Sequence, residues 1–170
     1  MPPIIKPYII DANTFMEAAR GYYAFDFARP FWNSLVGYAQ RNRIISLDKV
    51  LDEINKGNDE LKVWANRDFV SYFAESQTSA VIQQYATLVN WADRQPNYLQ
   101  LAKDEFMEDD NADAWIIAYA MAHDCTVVTD ELPNPNSKKR IFIPDVCNAF
   151  GVPFCDIFTM LRAVNFSFSA

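Results

Sequence analysis

At four places along this chain, one of them an adjacent pair, acid stands where a folded protein has no ordinary need of it. Asp11 closes the apolar run Tyr8-Ile9-Ile10, and Asp130-Glu131 follow the β-branched run Thr126-Val127-Val128-Thr129. Glu53 lies one position from the centre of the apolar face made by Val50 and Ile54, and Asp113 opens the Ala-rich stretch Ala114 to Ala122. Taken singly, such acids are unremarkable, because Asp and Glu favour helix N-termini on electrostatic grounds alone. Brought within about 5 Å of one another, each like-charged pair costs on the order of 3 kcal/mol at an effective dielectric of about 20, so a cluster of four calls for a cation. Oxygen-only donors select Mg²⁺ or Mn²⁺ over zinc. Such an ion activates water and stabilises charge developing on a phosphoryl group, and two ions about 4 Å apart clamp the attacking and leaving oxygens together. The chemistry this pattern points to is phosphodiester hydrolysis.

The acids need elements to hold them. Tyr8-Ile9-Ile10 reads as a buried strand that delivers Asp11 to its C-terminal tip, the place where ligands bind in α/β sheets. Asn13 or Thr14 is placed to cap a helix that Gly21 ends, and Pro30 opens a second helix running to about Arg41. Ile44-Ile45 is a second strand, followed by a helix from Asp48 to Ile54 that Gly57-Asn58 breaks. From Asp59 to Phe106 the composition is helix-like throughout, two or three helices with Pro96 starting one of them. Asp113 then opens a helix apolar nearly all round and hence buried. Cys125 to Thr129 is a strand, Pro133 to Ser137 a turn-rich loop, and Ile141-Phe142-Ile143 a further strand candidate. Pro144 to Phe150 is a short helix stopped by Gly151, and Pro153 to Ile157 a strand that leads into a last helix. Strands alternating with helices predict a parallel sheet covered on both faces, in one domain spanning 1–170.

Composition sets the limits. The chain has 170 residues, 51% of them apolar, enough for one sizeable core. No apolar run approaches the roughly 20 residues needed to span a bilayer, and Met1-Pro2-Pro3 is not the start of a secretory leader, so a cytoplasmic protein without a membrane partner is expected. Cys125, Cys147 and Cys155 lack metal-type spacing and read as buried reduced thiols, and the single His123 excludes any mechanism built on a histidine pair. The net charge of −7 is unhelpful for binding nucleic acid, but an ion among carboxylates inverts the local field. Arg41, Arg43, Lys138, Lys139 and Arg140 are candidates for a basic patch, although such clusters are usually solvated surface. The aromatics Tyr22, Tyr23, Phe25, Phe27, Phe31 and Trp32 are read chiefly as core and only secondarily as a base-stacking platform.

In order along the chain, Ile9-Ile10-Asp11-Ala12-Asn13, Asp52-Glu53-Ile54, Asp113 to Ala120 and Val127-Val128-Thr129-Asp130-Glu131 resemble a PIN-domain protein, from Tyr8 to about Leu161. With the enlarged helical middle and Ile143-Pro144-Asp145-Val146-Cys147, the resemblance is to a bacterial branch similar to VapC-type toxins of toxin-antitoxin pairs. It implies a three-layer α/β/α fold with a central parallel sheet of about five strands, an inserted helical layer at about 59–106, and metal-dependent cleavage of RNA. By the same resemblance Asp11, Glu53, Asp113 and Glu131 are the catalytic, metal-holding acids, with Asp130 an adjacent candidate for the fourth place, and Asn13 and Thr129 orient ligands or phosphate. Asp145 reads as a helix cap rather than a fifth acid. An RNA substrate, an antitoxin protein and a homodimer are the partners it implies. Two rivals stay open. Asp-x-Asp phosphatases also place an aspartate after the first strand, but Asn13 stands where their general acid belongs. A catalytically silent PIN-like module that binds RNA or protein is the rival from another class, disfavoured because a site without metal gains by shedding mutually repelling acids.

Overall fold

A computed structural model describes residues 6–168; the Met1-Pro2-Pro3 opening lies outside them. Among the described residues a five-stranded, wholly parallel sheet runs in the order β3-β2-β1-β4-β5. Its strands are β1 (Tyr8–Ile10), β2 (Ile44–Leu47), β3 (Phe73–Ala74), β4 (Thr126–Val128) and β5 (Phe154–Cys155). Around it lie α1 (Ala12–Arg20), α2 (Arg29–Gln40), α3 (Asp48–Asn55), α4 (Glu60–Arg67), α5 (Ser79–Asp93), α6 (Gln100–Met107), α7 (Ala112–His123), α8 (Ile143–Phe150) and α9 (Ile157–Ala163). No helix is long and apolar enough to cross a membrane among the described residues.

Central position explains the composition of the strands. β1 pairs on both sides, Ile9 with Ile45 of β2 and with Val127 of β4, and its Ile9 and Ile10 are buried. A strand covered on both faces has no polar alternate, which is why Ile9-Ile10 and Val127-Val128 are continuous apolar runs. Ser46 is the polar exception in β2, and its hydroxyl donates to the Ile10 carbonyl at 2.7 Å. The connection from β1 goes outward to β2 on one side, while β4 arrives on the other. The crevice between the carboxyl ends of β1 and β4 is therefore the topological switch point of the sheet.

Four expectations need correction. The helical middle, 59–106, is interrupted by β3, which pairs with Ser46 and Leu47 of β2 and closes one edge of the sheet. A strand of two half-buried residues carries no periodicity to read. Ile141-Phe142-Ile143 is not a strand: Phe142 is the N-cap of α8 and Ile143 its first residue, with Pro144 in the first turn, where a missing N–H costs nothing. The first helix is capped by Asp11 rather than by Asn13 or Thr14, the Asp11 carboxylate accepting from Thr14 N–H at 2.8 Å. The segment after Pro96 also begins later, at Gln100.

The core is one continuous cluster. Phe25 stacks on Trp32 at 4.2 Å and Trp64 on Phe69 at 4.9 Å, so Phe25, Phe31 and Trp32 are core as expected. Tyr22 and Phe27 are not, being 79% and 68% exposed. α7 is buried almost throughout, with Trp115 stacked against Tyr85 at 3.8 Å. Its burial fixes the depth and rotation of Asp113 in its first turn.

Candidate active site at the carboxyl end of the sheet

Asp11 and Thr129 end the two central strands and stand side by side at the switch point, both 2% exposed. The Asp11 amide donates to the Val128 carbonyl at 3.1 Å, so the β1–β4 ladder itself sets the position of the carboxylate. Burial pushes the Asp11 pKa up from the usual 3.8 to about 6, despite hydrogen bonds from Thr14 and Thr129 that favour the charge, and Glu131 adds repulsion. Glu53 reaches the group from α3. It accepts the Ala112 N–H at 3.1 Å, which ties α3 to the first turn of α7, and burial raises its pKa.

Asp113 is where the charges meet. Its pKa is pushed up to about 8, first by burial and then by repulsion from Glu131, Asp11 and Glu53, with Arg140 opposing. The four acids carried by four separate elements thus act on one another as a group. Glu131 accepts two bonds of its own, from the Ile143 N–H at the start of α8 at 2.8 Å and from Arg140 Nη2 at 2.5 Å. The same Arg140 nitrogen lies 3.8 Å from Asp113, so one guanidinium stands between two of the four acids. Among the described residues no three acids, cysteines or histidines are grouped closely enough to hold an ion as they stand.

The other expected residues divide. Thr129 Oγ1 accepts the Glu131 N–H at 3.2 Å and orients the acid two residues on. Asp130 turns from the quartet toward Glu17 of α1, whose pKa it raises after the larger effect of burial. Of the adjacent pair, Glu131 is the one that faces Asp11 and Asp113. Asn13 is exposed on the first turn of α1 and makes no hydrogen bond to the acids among the described residues. Asp145 neither joins the cluster nor caps its own helix; its carboxylate accepts the Asn134 N–H at 3.0 Å and holds the loop before α8. The supposed basic patch is split, with Arg41 and Arg43 preceding β2 at the opposite end of the sheet from Lys138 to Arg140. Arg140 is the residue that reading the sequence missed, taken as surface because nothing local links it to Glu131 nine positions earlier.

The three cysteines form no disulfide among the described residues, and burial pushes the Cys125, Cys147 and Cys155 thiols up to about 11, 12 and 11. Neutral thiols at these values are poor metal ligands and nucleophiles. Every donor around the quartet is oxygen, which suits a hard divalent cation.

The family profile described as Domain of unknown function (DUF4411) matches residues 8–168. A search of the curated proteins returns no match. Among solved structures, the chain is similar to a chain of the crystal structure of VapBC2 from Rickettsia felis bound to a DNA fragment from their promoter, with a TM-score of 0.54 and 15% identity over 88% of this chain and 97% of that one. At this identity the likeness concerns the fold, which is PIN-like.

Proposed function

We infer that this chain, which belongs to the family described as domain of unknown function DUF4411, is a metal-dependent endoribonuclease that hydrolyses RNA phosphodiester bonds through its carboxylate quartet. The observation that carries this reading is the convergence of Asp11, Glu53, Asp113 and Glu131 at the sheet's switch point, where burial and mutual repulsion penalise the charged forms of Asp11 and Asp113, a penalty that a bound cation would relieve. Structural ion pairing does not need four acids from four elements. A site that handles a phosphodiester through Mg²⁺ or Mn²⁺ makes use of such carboxylates.

In this reading Asp11 and Asp113 hold the ion directly, and Glu53 and Glu131 complete its surroundings. When bound, the ion supplies an activated water and stabilises charge on the phosphoryl oxygens. The protein's own groups set the rest. The β1–β4 ladder fixes Asp11, the Ala112 N–H fixes Glu53, and Thr129 with the α8 N-terminus fixes Glu131. Arg140 is the resident cation that balances part of the charge on Glu131 and Asp113, a task that a bound divalent ion would share. A guanidinium in this position would also suit a phosphate oxygen of the RNA. The similar VapBC2 structure motivates extending the reading to the toxin of a toxin-antitoxin pair, with an antitoxin protein as partner; a homodimer as the working unit is what the PIN-domain resemblance of the sequence adds.

The Arg140 ion pair also favours a second reading, a PIN-like binding module whose acids are neutralised from within. Calorimetric titration with Mn²⁺ separates the two. The nuclease reading expects saturable heat and a raised melting temperature, both lost in Asp11→Asn; no heat and no thermal shift at millimolar Mn²⁺ leaves the binding module.

A further inference from the structure

Beside the acids lies a cavity of about 490 Å³, within the range of small-ligand sites. Thr129 and Glu131 belong both to its wall and to the acid cluster, so the cavity continues the candidate active site on the side of α1 and β5. We propose that it is a nucleobase subsite that receives an unstacked guanine of the RNA strand next to the scissile phosphate, an inference that rests on the ribonuclease reading.

The wall offers rings. Tyr22 and Phe158 meet edge to face at 5.9 Å, and both line the cavity while remaining exposed, Tyr22 at 79%. An aromatic held in place by another ring yet left in water is a platform for a base, whose stacking on such side chains is sequence-tolerant and strong. The polar groups supply the choice of base. Glu17 and Asp130 meet at the cavity lining, close enough to repel and to hydrogen-bond one another, and no other protein group donates to either carboxylate among the described residues. Thr14 Oγ1 is buried at 1% exposure, also lines the cavity, and makes no hydrogen bond among the described residues, although it lies near enough to Asp11 to favour that carboxylate's charge. Among the described residues no Lys, Arg or His lines the cavity; Arg20, which acts on Glu17, stands outside the lining. A phosphate is therefore unwelcome, and an occupant that brings donors is not.

The carboxylate oxygens left facing the cavity accept, so the fitting base presents donors in parallel. Guanine does so with its ring N1–H and its exocyclic amino group, two donors spaced for the two oxygens of one carboxylate. Adenine and cytosine each set one amino donor beside a ring acceptor, which a carboxylate repels. Uracil flanks its single N–H with carbonyls. A bidentate contact of this kind discriminates between bases by about tenfold or more.

The test uses the full chain carrying Asp11→Asn, or Asp113→Asn should the first fold poorly, so that RNA is bound but not cut. Fluorescence anisotropy with Mg²⁺ compares a labelled oligouridylate with the same oligomer carrying one central guanosine. The expected result is an about tenfold tighter complex with the guanosine oligomer. Adding Glu17→Gln is expected to remove that gain and leave oligouridylate affinity unchanged, and adding Tyr22→Ala to weaken the guanosine complex several-fold. Equal affinity for the two oligomers, or a guanosine gain that survives Glu17→Gln, overturns the subsite. The parent ribonuclease reading is scored separately, by whether wild type cuts the guanosine oligomer with Mn²⁺: cutting without base preference sinks the subsite alone, and base preference without cutting sinks the nuclease alone.

Discussion

Replacing Asp113 by Asn stabilises the metal-free protein, and by an amount that grows with pH. In the folded chain the Asp113 proton is held up to about 8, against a usual 3.8, because burial and then Glu131, Asp11 and Glu53 penalise the charge. The folded state therefore binds this proton more tightly than the unfolded chain, and stability falls as pH rises from about 4 to about 8. Each pH unit in that window costs up to about 1.4 kcal/mol, so the penalty approaches about 2 kcal/mol at pH 5 and about 4 kcal/mol at pH 7. These are upper limits, since the side chain is 19% exposed and water eases part of the cost. Asn keeps the shape of the protonated acid, and the backbone N–H that bonds Asn111 is untouched. Urea unfolding of wild type and Asp113→Asn at pH 5 and pH 7.5, both in chelator, measures the difference. A variant less stable than wild type, or a difference that does not grow with pH, refutes the reasoning, because Asp113 would then be gaining stability from its surroundings rather than losing it.

Further outcomes follow from the same geometry. Asp11→Asn keeps the cap on α1, since Asn serves as well as Asp there, so circular dichroism is expected to show an intact fold while RNA cleavage is lost; a melting temperature lowered by more than about 5 °C would make Asp11 structural. Arg140→Met removes the cation between Glu131 and Asp113, and is expected to lower metal-free stability by about 1–3 kcal/mol while enlarging the rise in melting temperature on adding Mn²⁺; an unchanged Mn²⁺ effect would show that Arg140 and metal do not share the acids. Ser46→Ala leaves the Ile10 carbonyl without its side-chain donor just before Asp11, and is expected to cost about 1 kcal/mol by urea unfolding; no change would mean that the sheet contacts alone hold that strand end. The raised thiols of Cys125 and Cys147 are expected to react with a disulfide reagent at pH 8 only after unfolding, and prompt reaction in the native protein would contradict their burial.

Much of this site could be read from residue order, for physical reasons. A central parallel strand has to be apolar on both faces, so an acid ending Tyr8-Ile9-Ile10 announces both the strand and the end of the sheet where that acid stands. A helix apolar all round has to be buried, so Asp113 at its start has to be buried with it. What escaped was set at long range. β3 is two residues on a sheet edge and exists through its pairing with β2. Ile141 and Ile143 are buried either way, so their apolar character could not distinguish a strand from the approach to α8. Asp130 and Glu131 alternate around the chain after β4, and neighbours alone, Glu17 for one and Arg140 with Ile143 for the other, decide their directions. Arg140 and Glu17 gained roles only when the chain folded back on itself.

The central claim meets its most direct test in the cleavage of a mixed pool of structured and single-stranded RNAs by wild type and Asp11→Asn, each with Mn²⁺ and with chelator. Cleavage by wild type with Mn²⁺, absent in chelator and absent in the variant under both conditions, is the predicted result. RNA left whole by folded, Mn²⁺-bound wild type, or cut equally by Asp11→Asn, would contradict a carboxylate-held metal nuclease.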